Sequence, residues 1–275
     1  MQDLRLYDSP RDQTTFQRFE AKYIITETEA ACVLDYLSPW LESDRHTKRG
    51  VSYDINSLYL DSEKLGLYWS SALGEKNRMK LRIRAYSEES DAPVFLEIKR
   101  RVNQVILKQR TRLRREAMRD LLAGKTLDAG ALAHPTERER DNYYAFRDCL
   151  EHICARPAAF VRYDREAYVS RLEEPVRVTF DRNLCCLPCD HYAEDMWKKN
   201  TDWLPVDAAS VILEIKFTNA FPAYVARVVQ RFGLRQTSFA KYVHCMNALQ
   251  RRGALAGILP GINEDIMWSA DYHDE

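Results

Sequence analysis

The segment MKLRIRAY, residues 79–86, carries the pattern from which the fold is predicted. Lys80, Arg82 and Arg84 alternate in it with apolar residues, so a β-strand would place the cations on one face and the apolar side chains on the other. The same period of two recurs elsewhere, for Glu97 and Lys99 in VFLEIKR, Lys108 and Arg110 in ILKQR, Arg177, Thr179 and Asp181 in VRVTFD, and Glu214 and Lys216 in VILEIKF. Cations held out by so many strands indicate a shared space that binds a polyanion.

The composition of the 275 residues is balanced, with 41 basic and 41 acidic residues and a formal net charge of zero. Net charge therefore gives no reason to expect a nucleic acid partner. The length suits one large domain or two small ones, and no composition shift marks a linker. Cations concentrate in residues 76–115, whereas residues 263–275 are acidic.

The cysteines and the apolar segments bear on where the protein works. Seven scattered cysteines without a preceding signal peptide lead us to expect a reduced, cytoplasmic protein. Cys186 and Cys189 have CxxC spacing, but no second pair follows at the spacing of a zinc ribbon, so zinc is not expected. No apolar run has membrane-spanning length. The absence of GxxxxGK[ST] and GxGxxG motifs leaves a P-loop or Rossmann site unsupported.

The order of the predicted elements indicates an α+β fold, because runs of strands are separated by helices without strict alternation. Periodicity and turn residues predict strands at 16–25, 53–60, 77–86, 93–101, 104–114, 158–170, 175–182 and 211–218. They predict helices at 26–41, 63–70, 115–122, 135–154, 222–232 and 239–252, with an irregular stretch at 185–207.

The charged strand faces have two explanations. An open sheet would expose them to water, as many half-exposed sheets do. A closed barrel would turn them into a lumen and leave the apolar face to be covered by the helices. The alternation alone does not separate these two arrangements.

Nine motifs in order favour the barrel: RFEAKYII, SLYLDS, KLRIRAY, FLEIKRR, VILKQRTRL, FVRYDREAY, VRVTFDRNL, VILEIKF and SFAKY. Together they resemble the catalytic domain of the vacuolar transporter chaperone (VTC) family, a polyphosphate polymerase in the triphosphate tunnel metalloenzyme superfamily. The resemblance implies an antiparallel β tunnel barrel of about eight strands with a basic lumen, flanked by helices. It implies a tunnel domain at 16–252, between a flexible N-terminus at 1–15 and an acidic tail at 253–275.

The resemblance also implies the reaction and the residues that perform it. The γ-phosphate of ATP would pass to a growing polyphosphate chain, with Mn²⁺ or Mg²⁺ as cofactor. By motif, the catalytic cations would be Lys22, Arg82, Arg84, Lys99, Lys108, Arg165, Arg177 and Lys241. Further substrate contacts would come from Arg18, Tyr163, Ser238 and Arg110, and the metal would bind Glu214, with Glu97 and Glu20 as further carboxylates. Arginine forks and mobile lysines suit phosphate oxygens, since phosphoryl transfer depends on positioning and charge neutralisation.

Several alternatives stay open at this point. Glu214 could form a salt bridge in place of binding a metal, Ser238 could cap a helix, and Tyr163 could only pack. A metal-dependent tripolyphosphate or nucleoside-triphosphate hydrolase and a non-catalytic polyphosphate- or inositol-phosphate-binding module share this fold. Hydrolytic relatives begin with ExExK, whereas this chain has Arg18 at the first glutamate, which favours a phosphate acceptor over water; Glu20 remains.

The partners follow from the same resemblance. We expect ATP and inorganic polyphosphate, no nucleic acid, and a separate membrane-protein partner if the product must cross a membrane. The protein would then work in the cytoplasm at the inner face of that membrane. The sequence does not indicate an oligomeric state.

Overall fold

The computed structural model describes residues 18–44, 47, 51–103, 105–172, 175–192, 197–198, 202–207, 210–218 and 221–255. The predicted flexible segment at 1–15 and all but the first residues of the predicted acidic tail lie outside these ranges. The backbone of Arg18 is described, whereas its side chain is not.

The described strands form one antiparallel sheet. They are β1 (Arg18–Ile25), β2 (Leu41–Ser43), β3 (Tyr53–Asp61), β4 (Arg78–Ala85), β5 (Val94–Val102), β6 (Val105–Leu113), β7 (Arg156–Ser170), β8 (Arg177–Pro188), β9 (Leu204–Asp207) and β10 (Val211–Thr218). Eight of them follow the order β1-β10-β8-β7-β3-β4-β5-β6, while β2 pairs with β7 and β9 pairs with β8. The segment 185–207 was predicted to be irregular. That was wrong at both ends, because β8 continues to Pro188 and β9 pairs with it.

Six α-helices of the described residues flank the sheet. They are α1 (Glu27–Leu37), α2 (Gly66–Ala72), α3 (Met118–Leu122), α4 (Glu137–His152), α5 (Ala223–Arg231) and α6 (Lys241–Arg251). Thr26 begins α1 with a capping box, in which its side chain accepts from the Glu29 amide and the Glu29 carboxylate accepts from Thr26. None of the described helices is long and apolar enough to cross a membrane.

The sheet curls into a half-barrel. The predicted α+β fold, with an antiparallel sheet of about eight strands flanked by helices, is confirmed. Its edges are β1 and β6, and no backbone ladder joins these two strands in the part of the chain that the structure describes. Side chains cross the open side: Lys99 Nζ on β5 lies 3.6 Å from Glu20 Oε2 on β1. The open side of the half-barrel is therefore bridged by an ion pair between β1 and β5, and not by backbone hydrogen bonds.

The convex face carries the apolar side chains of the alternating strands. Around Leu81, Ile83 and Leu96 it packs against α3 and α4. Around Tyr23, Phe180 and Leu213 it packs against α1 and α5. Helices cover the apolar face, as the tunnel interpretation requires, because each strand has an apolar row that must leave water.

Helix α6 partly fills the concave face. The sequence predicted this helix, but it did not indicate that the helix would pack on the concave face. Tyr242, Met246 and Leu249 of this helix pack with Ile55 and Val161 on that face. A register shift in β8 beside Asn183, which has a φ of 52°, turns Leu184 and Cys186 toward α6 as well. The concave face is therefore apolar where α6 covers it and charged elsewhere.

Candidate functional site

The strand registers bring the predicted cations together on the concave face. Arg82 lies opposite Glu97, and Glu97 lies opposite Arg110 on the next strand. One step along the same face, Lys80, Lys99 and Lys108 form a row across β4, β5 and β6. Antiparallel neighbours on one face have Cβ atoms about 5 Å apart, so the three lysines form a continuous cationic surface, whereas Glu97 stands between two arginines in the other row.

Glu97 is the centre of one cluster. Arg82 donates to Glu97 Oε2 from Nε at 2.8 Å and from Nη2 at 2.7 Å. Lys108 Nζ and Arg110 Nε lie 3.1 and 3.4 Å from Glu97 Oε1. Burial would raise the pKa of Glu97, but Arg82, Arg84 and Lys108 outweigh it and hold this pKa well below its ordinary value. Glu97 is thus an ionised carboxylate that orients arginine and lysine side chains.

Arg84 differs from Arg82 because its partners are neutral. Its Nε donates to Ser57 Oγ at 3.1 Å, and its Nη2 donates to Tyr163 Oη at 3.4 Å. The residue is 6% exposed and makes no ion pair with any described residue. The charge of Glu97 acts on Arg84, but no described carboxylate contacts the guanidinium directly. An anion that joins it would reduce the cost of its burial, so Arg84 has the character of a ligand-binding cation.

Asp181 and Glu214 form a second cluster with cations from three elements. Arg165 holds Asp181 with Nε and Nη2, both at 2.6 Å, and Lys241 Nζ lies 2.7 Å from Asp181 Oδ2. Lys241 also reaches Glu214 Oε1 at 3.2 Å, and Lys216 Nζ lies 2.7 Å from Glu214 Oε2. The salt-bridge alternative for Glu214 is therefore observed in this structure.

Lys22 joins β1 to the segment before α6. Its Nζ lies 3.1 Å from Glu20 and 3.8 Å from Glu214, and it donates to the Phe239 carbonyl at 2.9 Å. Ser238 is exposed beside this contact. It does not cap α6, because Ala240 is the N-cap residue and has no side-chain cap. Its predicted phosphate contact stays a prediction.

The remaining predicted ligands lie on the same face. Arg177 contacts Asp44 Oδ2 at 2.8 Å and donates to Tyr53 Oη at 3.3 Å. Tyr163 is buried, and the Lys241 ammonium lies 4.7 Å from the centroid of its ring. Tyr163 therefore both packs and accepts a hydrogen bond. The predicted role of Arg18 lies outside the described side chains.

The three predicted metal ligands do not form one group. Glu20 and Glu214 share Lys22 and Lys216 as partners, whereas Glu97 on β5 is enclosed by cations of β4 and β6. In the described part of the chain, no three His, Cys, Asp or Glu side chains cluster to hold a metal ion. Mg²⁺ in proteins commonly uses one or two carboxylates together with substrate phosphates, and Glu20 with Glu214 fits that donor set.

Three residues of this face were not among the predicted site residues: Lys80, Lys216 and Asp181. All three lie in the alternating strand segments, so the period of two was the signal that marked them. The family resemblance assigned them no role, because it implies roles only for residues that match the site motifs of the family. Lys80 stands out among the three, because it makes no hydrogen bond or ion pair with any residue that the structure describes.

The charge of Lys80 should control how polyanion affinity depends on pH. Burial, followed by the charges of Lys22, Lys99 and Arg82, lowers the pKa of Lys80 to about 7. A bound phosphate would raise this pKa again, so above pH 7 binding requires proton uptake. We expect the affinity for tripolyphosphate to fall as the pH rises above 7, by up to about tenfold per pH unit.

Isothermal titration calorimetry in buffers of different ionisation enthalpy measures this proton uptake. Lys80→Met should remove the uptake at pH 8, whereas Lys125→Met, at an exposed surface ion pair with Asp120, should retain it. Equal proton uptake by the wild type and Lys80→Met would assign the pH dependence to another group or to the phosphate chain.

The fold and the site define a class of α+β proteins in which a curled antiparallel sheet presents a cationic concave face. The chain matches the model of the VTC domain over residues 17–250, and it therefore belongs to the VTC domain family, which has the triphosphate tunnel fold.

The solved structures to which the fold is similar have low sequence identity to this chain. One is a candidate adenylate cyclase from Bacillus halodurans, with 13% identity, a TM-score of 0.45, and coverage of 86% of this chain and 98% of that chain. Another is the PH1819 protein from Pyrococcus horikoshii, with 11% identity, a TM-score of 0.41, and coverage of 86% and 99%. No curated protein matches the sequence.

Proposed function

We propose that this protein is an ATP-dependent polyphosphate polymerase that transfers the γ-phosphate of ATP to a growing polyphosphate chain on the concave face. The observation that carries the proposal is the excess of cations there, above all Arg84 and Lys80, which make no ion pair with a described carboxylate. A buried arginine and a half-buried lysine of this kind are stabilised when a polyanion binds.

The chemistry asks little covalent work of the protein. Phosphoryl transfer needs the attacking and leaving oxygens to be in line and the charge on the phosphate oxygens to be neutralised. Arg82 and Arg84 project from neighbouring positions of one face of β4, so their guanidinium groups can hold one phosphate chain at two points. Lys99 and Lys108 supply mobile charges beside them.

Glu214 and Glu20 are the side chains that would hold a divalent cation. Burial would raise the pKa of Glu214, but Lys241, Lys216 and Lys22 lower it well below its ordinary value, so it is an ionised ligand at neutral pH. Bound Mn²⁺ or Mg²⁺ would neutralise charge on the transferred phosphate. Asp181 does not face the metal in this proposal; it positions Arg165 and Lys241.

The low pKa of Glu20 favours transfer of the phosphate to a phosphate acceptor over its transfer to water. A general base acts best when its pKa is near the working pH. Burial would raise the pKa of Glu20, but Lys216, Lys22 and Lys99 lower it to about 2. A carboxylate of that basicity is a poor base for activating water, so the hydrolase alternative lacks a suitable base at this position.

The polymerase proposal predicts that purified protein incubated with ATP and Mn²⁺ accumulates long-chain polyphosphate and ADP. Polyphosphate is measured by gel electrophoresis with a polyphosphate stain, and ADP by chromatography. EDTA should abolish both products. Release of ADP and stoichiometric inorganic phosphate without polymer would support the hydrolase instead, and binding without turnover would support the non-catalytic module. The separate membrane-protein partner and the cytoplasmic location stay predictions.

A further inference from the structure

We propose that Tyr86 is a stacking surface for the nucleobase of a nucleoside triphosphate whose phosphates lie against Arg84. Tyr86 directly follows β4 and continues the row of Lys80, Arg82 and Arg84 along the concave face. Its side chain is 37% exposed although it adjoins the most buried arginine of the row. This inference rests on the proposed function and adds a binding site for the base.

An aromatic and guanidinium wall holds the ring of Tyr86. Phe95 lies opposite Arg84 in the register of β4 and β5 and packs edge-on against Tyr86, with centroids 5.3 Å apart. The Arg110 guanidinium lies 3.7 Å from the centroid of Phe95 and 5.4 Å from that of Tyr86. The Arg84 guanidinium lies 6.0 Å from the ring of Tyr86. Cations predicted to bind phosphate and a partly exposed aromatic ring are therefore adjacent.

These features fit a nucleobase better than a second phosphate. Aromatic rings and arginine planes bind bases by stacking, and they do so with little preference among bases because each base has a π-face. A phosphate chain gains nothing from a ring face. A ring kept partly exposed beside the buried Arg84 thus indicates a ligand with both an anionic and an aromatic part.

The same residues give the concave face a direction. Tyr86 and Phe95 lie at one end of β4 and β5, and the row of Lys80, Lys99 and Lys108 lies toward the other. Six residues of a strand separate Tyr86 from Lys80, a distance of about 20 Å. The nucleoside would occupy the aromatic end, and the polyphosphate acceptor would lie along the lysine end, with Arg82 and Arg84 between them.

A comparison of ligands on the unmodified protein tests the stacking without any substitution. Isothermal titration calorimetry would compare ATP, ribose 5-triphosphate and inorganic tripolyphosphate in the same Mg²⁺ buffer. We expect ATP to bind roughly 5- to 100-fold more tightly than ribose 5-triphosphate, the range expected for one stacked base. Equal affinities for ATP and ribose 5-triphosphate would overturn the proposal.

Variants then assign the effect to Tyr86. Tyr86→Leu should weaken ATP binding by the same factor and leave tripolyphosphate binding unchanged, and Tyr86→Phe, which keeps the ring, should bind ATP like the wild type. Tyr144→Leu is the matched control, because Tyr144 is an exposed tyrosine on α4. The Tyr86 hydroxyl is a hydrogen-bond partner of Arg84, so the effect of the ring is measured as the difference between Tyr86→Leu and Tyr86→Phe. Equal ATP binding by these two variants, or equal weakening of ATP and tripolyphosphate between them, would contradict the proposal.

The test separates this inference from the proposed polymerase activity. Base-dependent ATP binding without polymer formation would leave the stacking site intact and refute the polymerase. Polymer formation with ATP affinity independent of Tyr86 would refute the stacking site and leave the polymerase intact.

Discussion

Replacing Arg84 by alanine should reduce polyphosphate synthesis by about 10²- to 10³-fold, the loss typical of removing one preorganised charge-stabilising donor. Arg84 is expected to have the largest effect of the concave-face cations, because it is buried against Ser57 and Tyr163 and makes no ion pair with a described carboxylate. Its charge is therefore available to the phosphate, whereas that of Arg82 is already shared with Glu97. The rate is measured as ADP release and polymer formation from ATP.

Two further variants make this result interpretable. Arg84→Lys keeps the charge but loses the planar fork, and it should retain part of the activity. Arg138→Ala removes an exposed arginine from α4, on the convex side, and should leave the rate unchanged. A wild-type rate in folded Arg84→Ala would remove Arg84 from the site.

Replacing Asp181 by asparagine should lower the free energy of unfolding by about 3–5 kcal/mol, the usual cost of breaking a buried ion pair from one side. Asp181 is 0% exposed and holds both Arg165 and Lys241, so its neutralisation removes the nearer of the two carboxylates that these buried cations share and leaves them only Glu214. Urea unfolding measures the change. Asp148→Asn, at an exposed acid of α4, should change this free energy by less than about 0.5 kcal/mol.

A bound polyanion should reverse part of this loss. Tripolyphosphate supplies negative charge to Arg165 and Lys241, which Asp181→Asn leaves with Glu214 as their remaining carboxylate, so it should stabilise the variant more than the wild type at the same concentration. Equal stabilisation of both proteins would mean that Asp181 acts through shape alone, and an unchanged unfolding free energy would show that its ion pairs are not needed for stability.

The stability of the wild type should depend on pH in the direction that the Asp181 carboxylate requires. Burial would raise the pKa of Asp181, but Arg165 and Lys241 outweigh burial and lower it. A carboxyl group whose pKa is lowered by folding stabilises the protein above its unfolded pKa of about 3.9 and loses this contribution as the pH falls. The wild type should therefore lose more stability below pH 4 than Asp181→Asn does.

The element types were predictable because strand and helix periodicity are local properties of the sequence. The β4, β5 and β6 strands were predicted to within two residues, and Thr26, where the predicted helix at 26–41 begins, caps α1. The end of β8 was missed because it is buried against α6 and β9, and its residues, such as Cys185 and Cys186, show no alternation. Pairing with a distant strand overrode the local signal.

The site was predictable in kind and not in its pairings. The alternation placed Arg82, Lys99 and Glu214 on one side of their strands, since successive residues of a strand point to opposite faces. It did not indicate that Glu97 would pair with Arg82 and lie apart from the other predicted metal ligand, Glu214. Nor did it indicate that α6 would bring Lys241 to Asp181. These contacts depend on strand register, on the curl of the sheet and on the position of a helix far along the chain.

Residues 79–86 thus determine that one face of β4 is cationic, because successive side chains of an extended backbone point to opposite faces. It leaves open which cations are neutralised. The fold neutralises Arg82 with Glu97 and leaves Arg84 and Lys80 without an ion pair to any described residue. That division arises only when strands distant in sequence curl around one space, because burial and the neighbouring charges then set the ionisation and the availability of each side chain.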